Sequence, residues 1–361
     1  MSGNLPRGGA EAVPGKRVYL DHNATAPLRP EARAAMAAAM EVTGNPSSVH
    51  AEGRAARALV ERARGKIAAA LGAMGADIVF TSGATEAAAL ALAGRGLAAS
   101  GIEHEAVLSH VEVSLAADAE GRVRPEDPAR ATLQLANSET GVVQTLPAGL
   151  AVSDITQGAG RLPFAFDWAG IGMAFLSGHK IGGPKGVGVL VLRRGTEIVP
   201  RITGGGQEMG RRAGTENLVG IAGLAAALEA AVGDLAAGRW AEVVQLRNIL
   251  EEAIAAASPE TIVVGQGADR LPNTSCLMTP GWTGEMQVLA MDIAGFAVSA
   301  GSACSSGKMR ASRALTAMGH DAGAAASAIR VSLGLETRRD DVLRFAEAWS
   351  AKRARQRSRA A

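Results

Sequence analysis

The stretch Phe175-Leu176-Ser177-Gly178-His179-Lys180, continuing as Ile181-Gly182-Gly183-Pro184-Lys185-Gly186, decides how this chain folds. The apolar approach from Met173 to Leu176 reads as the end of a buried strand, and the glycines and proline that follow break regular structure. A lysine delivered at such a point can stand in a pocket, where loss of solvent lowers the pKa of an amine toward its nucleophilic form. Taken alone, the motif reads more readily as a loop lysine on the surface, because short matches are common. The flanking sequence has to carry the assignment.

With 361 residues the chain exceeds one ordinary core, so two lobes are expected. A hydrophobic content of 47% with 20% charged residues is that of a soluble globular protein. Aromatics at 3% leave little for base stacking, so no nucleic-acid platform is expected. The net charge of +2 conceals a basic tail of Lys352, Arg353, Arg355, Arg357 and Arg359; the remaining 32 basic residues face 35 acidic ones. That tail is expected to be a solvated helix end. Two cysteines, Cys276 and Cys304, make no disulfide framework, no apolar leader follows Met1, and no uninterrupted apolar run reaches the ~18 residues of a membrane span. A cytoplasmic protein with no membrane role and no metal site is expected.

Along the chain, short apolar runs alternate with helical ones. Val18 to Leu20 reads as a strand, Glu31 to Met40 and His50 to Leu71 as helices, and Ile78 to Phe80 as a strand. That strand turns through Thr81-Ser82-Gly83-Ala84-Thr85 into a helix from Glu86 to about Leu97. Such a junction points free N–H groups and the positive helix end outward, a site suited to a phosphate. Glu103-His104-Glu105 opens a short helix; Val111 to Leu115, Thr132 to Ala136 and Gly186 to Arg194 read as strands. Leu150 to Ser153 runs into Asp154, an acid at a strand mouth that is costly unless something cationic faces it. This alternation predicts an α/β lobe on a mostly parallel sheet, and the pattern beyond Trp240 a smaller α+β lobe. The boundaries expected are 26–238 for the large domain, with 1–25 and 239–361 forming the small one. Cys304 sits among Ser302, Ala303, Ser305, Ser306 and Gly307, with no apolar stripe to bury it, and reads as an exposed loop thiol. Cys276, within Ser275-Cys276-Leu277-Met278, reads as structural.

Taken together, these stretches resemble the cysteine desulfurases, pyridoxal-phosphate (PLP) enzymes of the class V aminotransferase group. The resemblance rests on Tyr19 to Thr25, Gly44 to Ser48, Thr81 to Glu86, Asn137 to Gln144, Ser177 to Lys180 with Gly183 to Gly186, Gly204 to Glu208, Arg212 to Asn217, Ser299 to Gly307 and Ile329 to Gly334. The Cys304 loop is similar to that of the branch serving nitrogen fixation and iron–sulfur assembly. The resemblance implies the PLP-dependent fold type I, with a seven-stranded type of sheet in the large domain. It implies that Lys180 holds PLP, Asp154 pairs with the ring nitrogen, Gln157 bonds the phenolic oxygen and His104 stacks on the ring. Ala84, Thr85, Ser177 and His179 would bind the phosphate, joined by Thr215 across a homodimer interface. Arg330 would clamp the carboxylate of L-cysteine, Asn137 would lie between cofactor and substrate, and Cys304 would take the sulfur as persulfide. It would then pass to an acceptor or iron–sulfur scaffold protein.

Two segments are shorter than in that pattern, Ser138 stands in place of the family's second asparagine, and Ala88 stands where a polar residue is common. Only Thr145 to Ser153 separate Gln144 from Asp154, too few for a helix and a strand, and the segment between His104 and Asn137 is short. Part of one sheet face is therefore expected to be bare or covered by a partner. The alternatives are a related class V aminotransferase or lyase without a thiol nucleophile, and a shortened, weakly active paralogue kept as a binding partner.

Overall fold

The computed structural model describes residues 17–301 and 311–360. The chain begins with β1 (Val18–Tyr19), α1 (Pro30–Met40), α2 (Ala51–Ala70), β2 (Ala76–Thr81), α3 (Ala84–Leu92), β3 (Ala98–Ser100), α4 (Glu105–Leu108) and β4 (Glu112–Leu115). It continues through β5 (Val152–Asp154), α5 (Phe166–Ala169), β6 (Met173–Ser177), β7 (Gly188–Arg193), α6 (Leu218–Ala236) and α7 (Trp240–Ala257). The final part holds β8 (Ile262–Val263), β9 (Thr274–Met278), α8 (Gly284–Ile293), β10 (Phe296–Ala297), β11 (Ser299–Ala300), α9 (Arg313–Ala317), α10 (Ala322–Ala325), β12 (Ala328–Ser332) and α11 (Arg339–Ala360).

The large sheet is centred on β6, whose five residues are all buried because its sequence is apolar up to Ser177. The order β2-β7-β6-β5 continues through the extended segment 131–136, which bridges Val152 on one side and Ala98 on the other, to β3 and β4. Of these seven extended segments among the described residues, only β7 runs against the rest. The mostly parallel sheet expected from the alternation is present. Segment 131–136 is not the regular strand expected at Thr132 to Ala136. The Gln134 N–H goes to a Glu103 carboxylate oxygen at 2.8 Å instead of a ladder neighbour, which leaves only isolated bridges. Helix α3 also ends early, at Leu92, because Gly94 and Gly96 adopt left-handed φ of 81° and 61°. The chain then enters β3, whose Ala-Ala-Ser sequence gives no β-branched signal.

No helix joins segment 131–136 to β5. Residues 141–143 instead lean on 269–271: Val143 N–H donates to Asp269 O at 2.8 Å and Leu271 N–H to Gly141 O at 2.7 Å. The same chain thus covers part of the thin crossover. Strand β4 stays open, with Val113 exposed.

A second hydrophobic cluster gathers Val18 and Leu20 with residues from Val243 to Trp349, around the antiparallel sheet β11-β12-β9-β8. Trp282 and Trp349 lie 5.4 Å apart between ring centres. The basic tail corrects one expectation: it is helical, but it is not simply solvated. Arg353 is buried, donating to Glu260 at 2.8 Å and to Pro280 O at 2.9 Å, and Arg357 joins the same carboxylate. Among the described residues, only α6 is long and apolar enough to cross a membrane, with mean hydropathy 1.7. It carries Glu229 and Asp234, and packs against α1 and α2.

Candidate active site

The buried run of β6 ends at Ser177, and the chain turns through a single 3-10 turn, Gly178–Lys180. This turn swings Lys180 back under the N-terminal segment, where its Nζ donates to Asn23 O at 2.8 Å and Ala24 O at 2.9 Å. The next strand along, β5, ends in Asp154, so both residues project at the same sheet edge. They line one cavity of about 960 Å³ together with His104, Asn137, Gln157, Ser177, His179 and Arg330.

Electrostatics tie these groups together. Burial raises the Asp154 carboxyl above its ordinary value, while hydrogen bonding from Thr156 and the proximity of His104 and Lys180 pull it down. The Thr156 N–H donates to Asp154 Oδ1 at 2.8 Å. His104 caps α4: its Nδ1 accepts from the Ala106 N–H at 3.1 Å, so the ring proton is on Nε2. The helix-start histidine and the cavity histidine are one residue. Gln157 donates from Nε2 to Asn23 O at 3.1 Å. Asn137 is committed to its own turn: Oδ1 accepts from the N–H groups of Glu139 and Thr140, and Nδ2 donates to Ile102 O.

At the opposite end, α3 opens with no capping side chain, leaving N–H groups directed at the cavity beside Ala84 and Thr85. Glu86 reaches back to the Ser82 N–H at 2.7 Å and is held by Arg212 at 2.9 Å. Gly188 is needed here because an added Cβ would lie 2.7 Å from Gly83 Cα, where β7 passes the turn. Ser177, His179 and Lys185 complete this end. Burial, together with Lys180 and Lys185, holds His179 down to about 4, so its ring is neutral at pH 7. Thr215 is not brought to this cavity. It lines a separate hollow of about 200 Å³, although Ser82 and Gly186 face both spaces.

Arg330 enters from β12 of the antiparallel sheet, paired with Asp21 at 2.7 Å and donating to Ser138 O at 3.1 Å. Its Nε has no partner among the described residues. Cys304 lies outside the described residues, as do Ser302, Ala303 and Ser305 to Gly307. Gly301 and Ala311, which flank that stretch, both line the cavity. Cys276 is buried in β9, and burial pushes its thiol up to about 12, as a structural cysteine requires.

Sequence reasoning gave no role to Asn23, whose main-chain oxygen receives both Lys180 and Gln157 and whose side chain is fully buried. Glu103 was also passed over. It is a buried carboxyl whose Oε2 has no partner among the described residues. The polar Asp-His-Asn run directly after a strand was the available signal for Asn23.

The orphaned polar atoms test whether PLP fits. Thr156 Oγ1, His179 Nδ1, Glu103 Oε2 and Arg330 Nε are buried without partners, and their residues line this cavity. An amine, a carboxylate, an imidazole face and free helix N–H groups match an aldehyde, a pyridine nitrogen, a ring face and a phosphate. Fold and cavity together define a PLP-dependent enzyme of fold type I.

The sequence profile of "Aminotransferase class-V" matches residues 18–118 and 131–345. A cysteine desulfurase of Cereibacter sphaeroides is 40% identical, covering 92% of this chain and 94% of that protein. "Cysteine desulfurase IscS" of Dictyoglomus turgidum is 36% identical, covering 91% and 92%. A solved NifS-like protein from Rickettsia africae superimposes with a TM-score of 0.84 at 30% identity, over 94% of this chain and 99% of its own. The chain belongs to the class V aminotransferase family, and within it to the cysteine desulfurases.

Proposed function

We propose that this enzyme converts L-cysteine to L-alanine, with Cys304 receiving the sulfur as a persulfide for delivery to an acceptor protein. The observation that carries the reading is that Lys180 and Asp154 line one cavity, whose rim includes the residues on either side of the Cys304 segment. When bound, PLP supplies an electron sink that acidifies the Cα proton and weakens the bond to sulfur. Lys180 would hold the cofactor and then carry the Cα proton, since its Nζ is the amine at the cavity floor. Asp154 would keep the ring nitrogen protonated, and Gln157 would donate to the phenolic oxygen. His104 would cover the ring face, while Ser177, His179, Ala84 and Thr85 would hold the phosphate. Arg330 keeps its Nε, the one guanidinium nitrogen without a partner among the described residues, for the substrate carboxylate. Asn137 would orient the space between cofactor and substrate. In the sulfur step the Cys304 thiolate forms the S–S bond as the carbon–sulfur bond breaks, and the electron pair stays with the carbon skeleton.

A homodimer is part of this reading. Thr215 lines a hollow apart from the cofactor cavity, next to its phosphate end through Ser82 and Gly186; in this reading a second copy would supply the threonine hydroxyl to the phosphate. The acceptor of the sulfur is a protein thiol or an iron–sulfur scaffold.

The test is a PLP titration followed visibly, with alanine and sulfide measured from L-cysteine in the absence of any keto acid. Wild type should gain a visible band and form both products. Cys304→Ala should keep the band and lose sustained sulfide release; Lys180→Ala should lose both. Equal turnover by Cys304→Ala would overturn the nucleophile assignment, and alanine formation only with a keto acid would indicate an aminotransferase.

A further inference from the structure

Arg161 is a buried cation that the mechanism above does not use. It follows β5 by one turn, is 5% exposed, and forms no ion pair with any carboxylate among the described residues. An uncompensated buried guanidinium is among the costliest placements in a protein, so its contacts matter. Its Nη1 donates to Gln157 Oε1 at 2.5 Å and Gln157 O at 3.1 Å, and its Nη2 donates to Lys180 O at 3.0 Å. The Trp240 ring lies beneath it, 6.0 Å from the guanidinium carbon, and is itself fixed by an indole N–H bond to Gly160 O.

These bonds close a ring. Arg161 reaches Gln157, Gln157 Nε2 reaches Asn23 O, Lys180 Nζ reaches the same oxygen, and the Lys180 main chain returns to Arg161. Arginine has five donors and no acceptor, so only the oxygen of the Gln157 amide can face it. The nitrogen end is then forced toward Asn23 and the cavity. One hydrogen of Nε2 goes to Asn23 O, and the second remains for a ligand oxygen. Were the amide reversed, it would offer an acceptor to the anionic ring oxygen of the cofactor.

We infer that Arg161 is a positioning residue for PLP: it fixes the Gln157 amide donor-outward, anchors the Lys180 main chain, and places a buried positive charge behind both. The inference rests on the PLP reading above. The charged and titratable groups around Arg161 are Arg29, paired with Asp234 on α6; Arg330, paired with Asp21; His22; and Lys180. Burial, with Arg330 and Arg29, lowers the guanidinium to about 10, so it stays charged at pH 7.

The experiment compares wild type, Arg161→Met, Gln157→Ala and the double variant by PLP dissociation constant, pH midpoint of the visible band, and thermal midpoint without PLP. Arg161→Met should bind PLP about tenfold more weakly, and its band midpoint should rise by about one pH unit because a nearby positive charge is gone. The double variant should lose clearly less affinity than the sum of the two single losses, because the part of Arg161's role that sets the Gln157 amide is already gone in Gln157→Ala. A lowered thermal midpoint with unchanged affinity and band midpoint, or fully additive losses, would make Arg161 merely structural. Should Arg161→Met fail to fold, Gln157→Glu decides the question. It places a carboxylate against Arg161 and removes the cavity N–H, so PLP should weaken about tenfold while the thermal midpoint stays at or above wild type. A midpoint falling to that of Gln157→Ala would refute the pairing. If wild type itself develops no visible band with PLP, the cofactor reading fails, and this inference fails with it.

Discussion

Arg330 Nη2 lies 2.7 Å from Asp21 Oδ1, so the guanidinium assigned to the substrate carboxylate is already oriented by a carboxylate of its own chain. The other Asp21 oxygen accepts from Ser299 Oγ at 2.7 Å, and Ser299 stands opposite Arg330 in the β11–β12 ladder. Asp21 thus spans the clamp and the strand that leads toward Cys304.

Removing that carboxylate should release the clamp. Asp21→Ala is expected to raise the KM for L-cysteine about tenfold with a smaller effect on kcat, because orientation is lost before chemistry. Breaking a largely buried pair should also destabilise the fold by about 3 kcal/mol. Steady-state kinetics with chemical denaturation checks both; an unchanged KM would show that the pair is not part of the clamp.

The phosphate end depends on close backbone approach. Gly188→Ala puts a Cβ 2.7 Å from Gly83 Cα and from the Leu176 carbonyl oxygen, both main-chain atoms that cannot rotate away. The expected result is a loss of about 2 kcal/mol, within the range for overpacked sites, together with weaker PLP binding. Denaturant melts and a PLP titration read the two effects.

Acid should weaken the cofactor-free protein through its histidines. Burial, above all, holds His22 and His179 at about 4, below the ordinary 6.5. A depressed histidine pKa means that the unfolded chain binds the proton first. Stability is therefore complete above pH 6.5 and lost as pH falls from about 6.5 to about 4, by roughly 3 kcal/mol at most for the largely buried His22 and by less for the half-buried, solvent-screened His179. His22→Asn should flatten part of that acid limb in denaturation curves taken across this range; an unaltered limb would remove His22 from the account.

Thiol labelling separates the two cysteines. With its thiol pushed up to about 12 and buried in β9, Cys276 should resist iodoacetamide at pH 8 in the native protein. Native Cys304→Ala protein should therefore take up no label until unfolded. Rapid labelling of that variant would contradict the burial of β9.

Much of the site was legible in the sequence because its parts are local. Lys180 follows a buried strand, Asp154 ends another, and the Gly83 turn opens a helix; each announces itself through periodicity and small residues within a few positions. Segment 131–136 and β3 were not legible in the same way. Their regularity is set by who takes each N–H, and Glu103 takes that of Gln134 from outside the ladder. Arg353 looked like one of five solvated cations because its partner, Glu260, lies 93 positions earlier.

By itself, the sequence determined the strand–turn–lysine unit, the alternation that makes a mostly parallel sheet, and the family to which both belong. Those properties follow from residue spacing, which local burial and backbone geometry translate directly. Only the tertiary structure decided that Asn23 O would receive both Lys180 and Gln157, that Arg161 would stand uncompensated behind them, and that Thr215 would face a different hollow. These relationships join residues up to 157 positions apart, and no periodicity specifies where two distant turns will meet.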